Sequence, residues 1–223
     1  MELLILANSR KLGGRCIAGI DLESKKWVRP VSRSDHGALR KDECLIFDGG
    51  IWRDLAVLDV VSAPIGVAID ALGQPENCVL LSDAWSLKGN FGKDIERKIT
   101  TAILDGFCDE EKHLVYGNGK SVQMRSVKSN SVKRSLVLIK SLDPQFYNEE
   151  GTMKLRCKVN YFDEIYDLPI TDDSDWVAQA KHNPKAFSSG VWYFTVSLGE
   201  PYRGQMWKLI ASGISFQHTI RVT

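Results

Sequence analysis

Apolar residues in this chain come in short runs, mostly of about four to eight residues, and turn-forming residues close nearly every run. A run that short cannot cover one face of a stable helix, but it fills one side of a strand. Residues 2–7, 15–21 and 27–31 have this character. Residues 43–47 stop at Asp48-Gly49-Gly50, and 55–61 is β-branched and stops before Pro64. After residues 78–81 the pattern changes. Ile95, Ile99, Ala102 and Ile103 fall at helical spacing behind Asp94 and Glu96, which predicts a helix over 91–104.

Strands return after a polar, Gly- and Ser-containing stretch. Residues 117–134 hold Lys120, Arg125, Lys128, Lys133 and Arg134 and no acid, which marks a boundary near 118–132. Residues 114–116 and 136–139 are short strands. Residues 153–161 alternate, with Leu155, Cys157, Val159 and Tyr161 on one side and Lys154, Arg156, Lys158 and Asn160 on the other. Residues 165–170 contain Pro169 and read as an edge strand or strand end. Thr171 or Asp172 caps a short helix near 173–181, and two last strands, 191–198 and 206–214, are joined by residues 199–204. The fold expected is mainly β: two tandem barrels, 1–120 and 121–223, each with a short inserted helix. A single mixed α+β domain is the alternative.

Composition bounds the function. A net charge of +1 on 223 residues excludes a globally basic nucleic-acid binder, so any such role rests on local patches. Residues 119–158 carry nine Lys or Arg against three acids, which leaves the rest of the chain acidic. Cys16, Cys44, Cys78, Cys108 and Cys157 are far apart and lack metal-ligand spacing, so they read as buried free thiols. With no export signal or long apolar segment, the cytoplasm is the expected location.

No catalytic constellation stands out, and no cofactor is expected. His36, His113, His182 and His218 are isolated. Gly119-Lys120-Ser121 lacks the glycine that a phosphate loop needs five residues before its Gly-Lys pair, because Leu114 stands there. Asp172, Asp173 and Asp175 fit a helix start better than a metal site. The remaining signals point to anions and bases. Ser9, Arg10, Lys11 and Arg15 surround the Gly13-Gly14 turn. Trp27 and Arg29 share one side of a strand, as a stacking platform beside a phosphate contact or as a core Trp with a structurally paired Arg. Lys154, Arg156 and Lys158 project three cations about 6–7 Å apart, near the phosphate repeat of an extended strand, unless they only solubilise that face.

Several segments together resemble the prokaryotic dual-OB domain family: Asn8-Ser9-Arg10-Lys11 with Gly14-Arg15-Cys16-Ile17-Ala18-Gly19, Trp27-Val28-Arg29-Pro30-Val31, and Gln74-Pro75-Glu76-Asn77. Leu168-Pro169-Ile170-Thr171-Asp172, Ser197-Leu198-Gly199-Glu200-Pro201 and Lys208-Leu209-Ile210-Ala211 complete the set. The resemblance implies two oligonucleotide/oligosaccharide-binding barrels and a nucleic-acid-binding role in bacterial defence or repair. It supplies no catalytic set. Lys11, Arg15, Trp27, Arg29, Glu76, Asn77 and Lys208 fall on its motifs.

The expected function is therefore non-catalytic binding of single-stranded DNA or RNA in a groove. Arg10, Lys11, Arg15 and Arg29 mark one end, Lys154, Arg156 and Lys158 continue it, and Trp27 stacks a base. Two alternatives stand beside it. Arg10, Lys11, Arg15, Glu76 and Asn77 could instead converge on a small nucleotide-like ligand, or Trp52, Trp85 or Trp207 could anchor a protein partner.

Overall fold

The computed structural model describes residues 1–11, 13–34, 37–69, 73–116, 119–124 and 132–217. The chain is mainly β and divides into two compact units, Met1–Phe107 and Cys108–Thr223.

The first unit opens with a meander of β1 (Glu2–Lys11), β2 (Gly14–Asp21) and β3 (Trp27–Val31). After an excursion that holds a 3₁₀ turn at Asp42–Cys44 and the hairpin β4 (Leu45–Asp48) and β5 (Ile51–Asp54), the chain returns in β6 (Asp59–Ser62). Pro64 lacks an amide proton and breaks the ladder, so the same path resumes in a new direction as β7 (Ile65–Ala68), followed by β8 (Asn77–Leu80) and β9 (Ser86–Asn90). β6 pairs with β1, and β7 pairs with β8. β8 lies parallel to β3 in the register Arg29↔Asn77, so the sheet curls back on itself. Leu3, Ile5, Ile17, Val28, Ile46, Val61, Leu80 and Trp85 fill its interior.

The second unit repeats this circuit. β10 (Ser121–Gln123) precedes β11 (Leu136–Leu142), which pairs with β15 (Val191–Tyr202). Beyond the corner at Asp143-Pro144, β12 (Gln145–Asn148) pairs with β13 (Leu155–Tyr161), and β13 pairs with β14 (Glu164–Pro169). β15 pairs with β16 (Gln205–Ile214), whose Ile210 makes a parallel bridge to Ile170 and accepts the Thr171 amide at 2.9 Å. The interior is aromatic: Phe146 packs edge-on to Trp192 at 5.1 Å, and Trp192 stacks on Phe194 at 5.5 Å.

Among the described residues two α-helices accompany the strands, α1 (Arg97–Asp105) and α2 (Asp175–His182). α1 starts later than its apolar spacing suggests. The Asn90 side chain accepts the amides of Gly92 and Lys93, and Asp94 accepts that of Asn90, so a side-chain turn displaces the first helical turn. α1 also follows every strand of its unit rather than interrupting them. α2 does interrupt, between β14 and β15. Asp172 organises its start, accepting the Ser174 amide at 2.9 Å, the Trp176 indole at 3.0 Å and the Gly213 amide at 3.1 Å.

The units divide about a dozen residues before the boundary expected near 118–132, much of which (118 and 125–131, with Arg125 and Lys128) lies outside the described residues. Leu114, Val115, Val122 and Val132 belong to the second core, and the Tyr161 hydroxyl donates to Asp109 at 2.6 Å. Apolar burial therefore outweighs polar composition in placing this segment. All five cysteines are free. Burial raises the Cys44 thiol to about 12, which keeps it protonated and unreactive.

The β1–β2 pairing depends on the absence of a side chain at Gly19. A Cβ there would stand 2.5 Å from the Leu4 carbonyl oxygen, a backbone atom of the paired strand. Gly19→Ala is expected to cost about 1–3 kcal/mol, read from the urea midpoint at an unchanged m-value.

Candidate nucleic-acid interface

In the second unit, β13 keeps its alternation. Leu155, Cys157, Val159 and Tyr161 are buried, while Lys154 and Lys158 are exposed. Arg156 is half-buried and engaged. Its Nε donates to Asp167 at 3.1 Å and to the Tyr147 hydroxyl at 3.2 Å, its Nη2 donates to the Asp167 carbonyl at 3.0 Å, and Glu149 lies 3.8 Å away. The Tyr147 hydroxyl in turn donates to Asp167 at 2.7 Å. Burial, followed by that carboxylate, raises the Tyr147 phenol above its ordinary range. Arg156, expected as the middle of three solvent-facing cations, is instead the tether that fixes Tyr147. The Lys158 ammonium lies 5.6 Å from the Tyr147 ring centroid. The face therefore presents two lysines, Lys158 on β13 and Lys154 directly before its first residue, beside a partly exposed ring.

In the first unit the amino-terminal cations separate into two groups. Arg10 and Arg15 are register partners across the β1–β2 ladder, and Lys11 faces Gly14 at its end. Arg10 is exposed, and Arg15 lies 3.6 Å from Asp54. Ser9, opposite Cys16, is buried.

Arg29 takes the second of its two expected roles, a structural one, and does not mark an end of the groove: it is 2% exposed, because it sits in the parallel seam where β3 meets β8. Its amide donates to the Glu76 carbonyl at 2.8 Å, and its Nη1 donates to Asn77 Oδ1 at 3.3 Å. Glu76 and Asn77 are buried with it, while Trp27 is half-buried at the strand start. The motif trio Arg29, Glu76 and Asn77 does converge, as the lock of the first barrel. This arrangement draws Glu76 and Asn77 into the seam.

Lys208, another of the motif residues, is buried as well. It is 0% exposed, on β16 opposite Leu198, and its ammonium lies 5.1 Å from the Tyr166 ring centroid. A lysine inside an alternating strand of a curled sheet goes wherever its register sends it.

Residues 1–212 match the family model of the dual OB-containing domain. The chain belongs to that family. No curated protein and no solved structure matches it significantly.

In an OB barrel, ligands meet the outer face of the second and third strands and the loops after strands one and four. In the second unit of this dual OB domain those are β13, β14, residues 149–154 and the β15–β16 turn. The Lys154/Lys158 face is thus on the face that this fold uses for ligands. The β15–β16 turn adds Tyr202, which is exposed, with the Arg203 guanidinium 5.2 Å from its ring centroid. Sequence reasoning missed Tyr147, Tyr202 and Arg203. The available signal was Arg203-Gly204 interrupting two apolar runs, where both residues take positive φ and close a two-residue hairpin.

The buried Lys208 has a measurable consequence. Burial lowers its amine from 10.5 to about 8, only partly offset by Glu164. Between those values the unfolded chain holds a proton that the folded chain has lost, so this group makes stability rise with pH from about 8 to 10.5. The rise is on the order of 3 kcal/mol. Urea titrations across that window should show Lys208→Met flattening the slope relative to the wild-type chain.

Proposed function

We propose that this dual OB domain is a non-catalytic binding protein for single-stranded nucleic acid, DNA or RNA, and that β13 of the second unit carries the backbone contact. One observation supports this reading most. Lys158 is exposed on the second strand of an OB barrel and Lys154 is exposed directly before that strand begins, with Tyr147 fixed beside them by Arg156 and Asp167. Four residues along a strand is about 13 Å, two phosphate steps of an extended single strand. The lysines neutralise phosphates, and the accessible part of the Tyr147 ring offers a face on which a base can rest.

The charge distribution suits modest, salt-sensitive affinity. Phosphate contacts release counterions and carry no base information, so binding is tolerant of sequence and weakens steeply as salt rises. No helix among the described residues is long and apolar enough to cross a membrane.

The test is fluorescence anisotropy with labelled single-stranded DNA, single-stranded RNA and duplex DNA at two or more salt concentrations. The double variant Lys154→Ser/Lys158→Ser spares Arg156, whose loss would release Tyr147 and Asp167. Folding should be nearly unchanged, because exposed charges contribute little to stability. Affinity for single strands should fall for every sequence alike, and the log–log salt slope should become shallower by about 1.4, at roughly 0.7 per lost contact. Wild-type affinity and slope in the variant would remove β13 from the interface.

A further inference from the structure

The β4–β5 hairpin of the first unit places large aromatic surface in solvent and holds it rigidly. Its register pairs Phe47 with Trp52 across the two strands, next to the Asp48-Gly49-Gly50-Ile51 turn. Phe47 is 54% exposed and Trp52 67%, with ring centroids 5.4 Å apart and planes tilted by 58°. Strand alternation explains the direction. Ile46 is fully buried in the core and its partner Arg53 turns inward, so the next pair turns out.

The rest of the hairpin is clamped. The Arg53 guanidinium donates to Asp59 through Nη1 at 2.7 Å and Nη2 at 3.0 Å, and to Asp48 through Nε at 2.7 Å. Asp59 is completely buried on β6 and also accepts the Ala56 amide and the Asn90 side chain, each at 2.8 Å. The aromatic pair thus rides on an element that is hydrogen-bonded to the barrel wall, so little ordering entropy remains to be lost when something lands on it.

The surroundings indicate what would land. Asp54, on the same side of the hairpin as Phe47 and Trp52, lies 3.6 Å from Arg15, whose register partner is Arg10. The ion pair therefore ties the aromatic face to the end of the β1–β2 ladder, where two guanidiniums start from directly opposed positions and Lys11 follows. The two guanidiniums and Lys11 concentrate positive charge at this end of the ladder, which favours an anionic partner over a purely apolar one. An aromatic platform bordered by guanidiniums matches the flat faces and charged backbone of unpaired nucleotides.

We infer that Phe47 and Trp52 form a base-stacking platform for unpaired nucleotides, with Arg10 and Arg15 on the adjoining phosphates. This rests on the single-strand-binding reading above but uses a different element. The platform lies outside the strand-two and strand-three face, on the excursion between the third and fourth strands of the first barrel circuit.

Anisotropy with a labelled oligothymidine of about 15 nucleotides and an abasic strand of equal length tests it, using the wild-type chain, Phe47→Ala/Trp52→Ala and Lys154→Ser/Lys158→Ser. Both rings are more than half exposed, so the aromatic variant should melt with the wild type. It should bind oligothymidine about tenfold or more weakly, bind the abasic strand as the wild type does, and keep the wild-type salt slope. Wild-type affinity of this variant for oligothymidine would overturn the platform while leaving the lysine face standing. An equal loss for both strands would also overturn it, because the defect would then not concern bases. An altered sedimentation state with unchanged oligonucleotide binding would assign the rings to a second copy and overturn it too. If the wild-type chain binds neither strand, the single-strand reading and the platform fall together.

Discussion

Each barrel depends on one parallel seam between strands remote in sequence. In the first unit the seam joins Arg29 to Asn77, 48 residues apart; in the second it joins the end of β14 to Ile210, with Thr171 bonded to Ile210 across 39 residues. Among the described residues the other pairings between named strands are antiparallel, and several join strands adjacent in sequence, while Cys108 adds an isolated parallel bridge to Leu138. Closing a long loop costs entropy before any long-range contact forms, and a bent strand lets one segment serve two neighbours. Pro64 provides that bend in the fourth strand of the first circuit, and the Asp143-Pro144 corner provides it in the first strand of the second. The circuit is thus conserved between units while the bend moves.

The seam also explains why motif residues are unreliable guides to a ligand. Arg29, Glu76 and Asn77 are polar, unevenly spaced and recognisable, which makes them look functional in a linear reading. In the fold the Arg29 amide bonds to the Glu76 carbonyl and its guanidinium to the Asn77 side chain where the sheet closes. A buried polar group requires such partners, and residues that supply them are as constrained as residues that meet a substrate. Lys208 shows the same ambiguity. A lone lysine between apolar neighbours does not disclose its direction in sequence, and register carries it inside, where the Tyr166 ring lies 5.1 Å from its ammonium.

Local periodicity carried most of what the sequence disclosed. The alternation over Leu155–Tyr161, the Gly-Gly hairpin turn and the strand-rich halves are encoded within a few residues, and each is recovered. What could not be read depends on distant partners. The unit boundary is set by Leu114, Val115, Val122 and Val132 entering the second core, a fact about packing rather than composition. The delayed start of α1 depends on Asn90 and Asp94 side chains competing for amides. The pairing of Arg156 follows from Asp167 standing on a neighbouring strand, so a row of three cations in sequence becomes two lysines and a tether in space.

The slot between the third and fourth strands shows how one circuit can support different tasks. In the second unit it holds α2, which buries Val177 and Ala180 and brings Trp176 to 4.9 Å from Trp192, so its aromatic ring thickens the core. In the first unit the same slot holds a hairpin that contributes Ile46 to the core and turns Phe47 and Trp52 outward. The helix can be stabilised by its apolar side alone. The hairpin, with less to bury, is held instead by the Arg53–Asp59 ion pair, and the buried carboxylate of Asp59 is stable there because four donors reach it. Charge-assisted bonds replace apolar packing as the anchor, and that exchange is what leaves the aromatic surface of this element available to a partner.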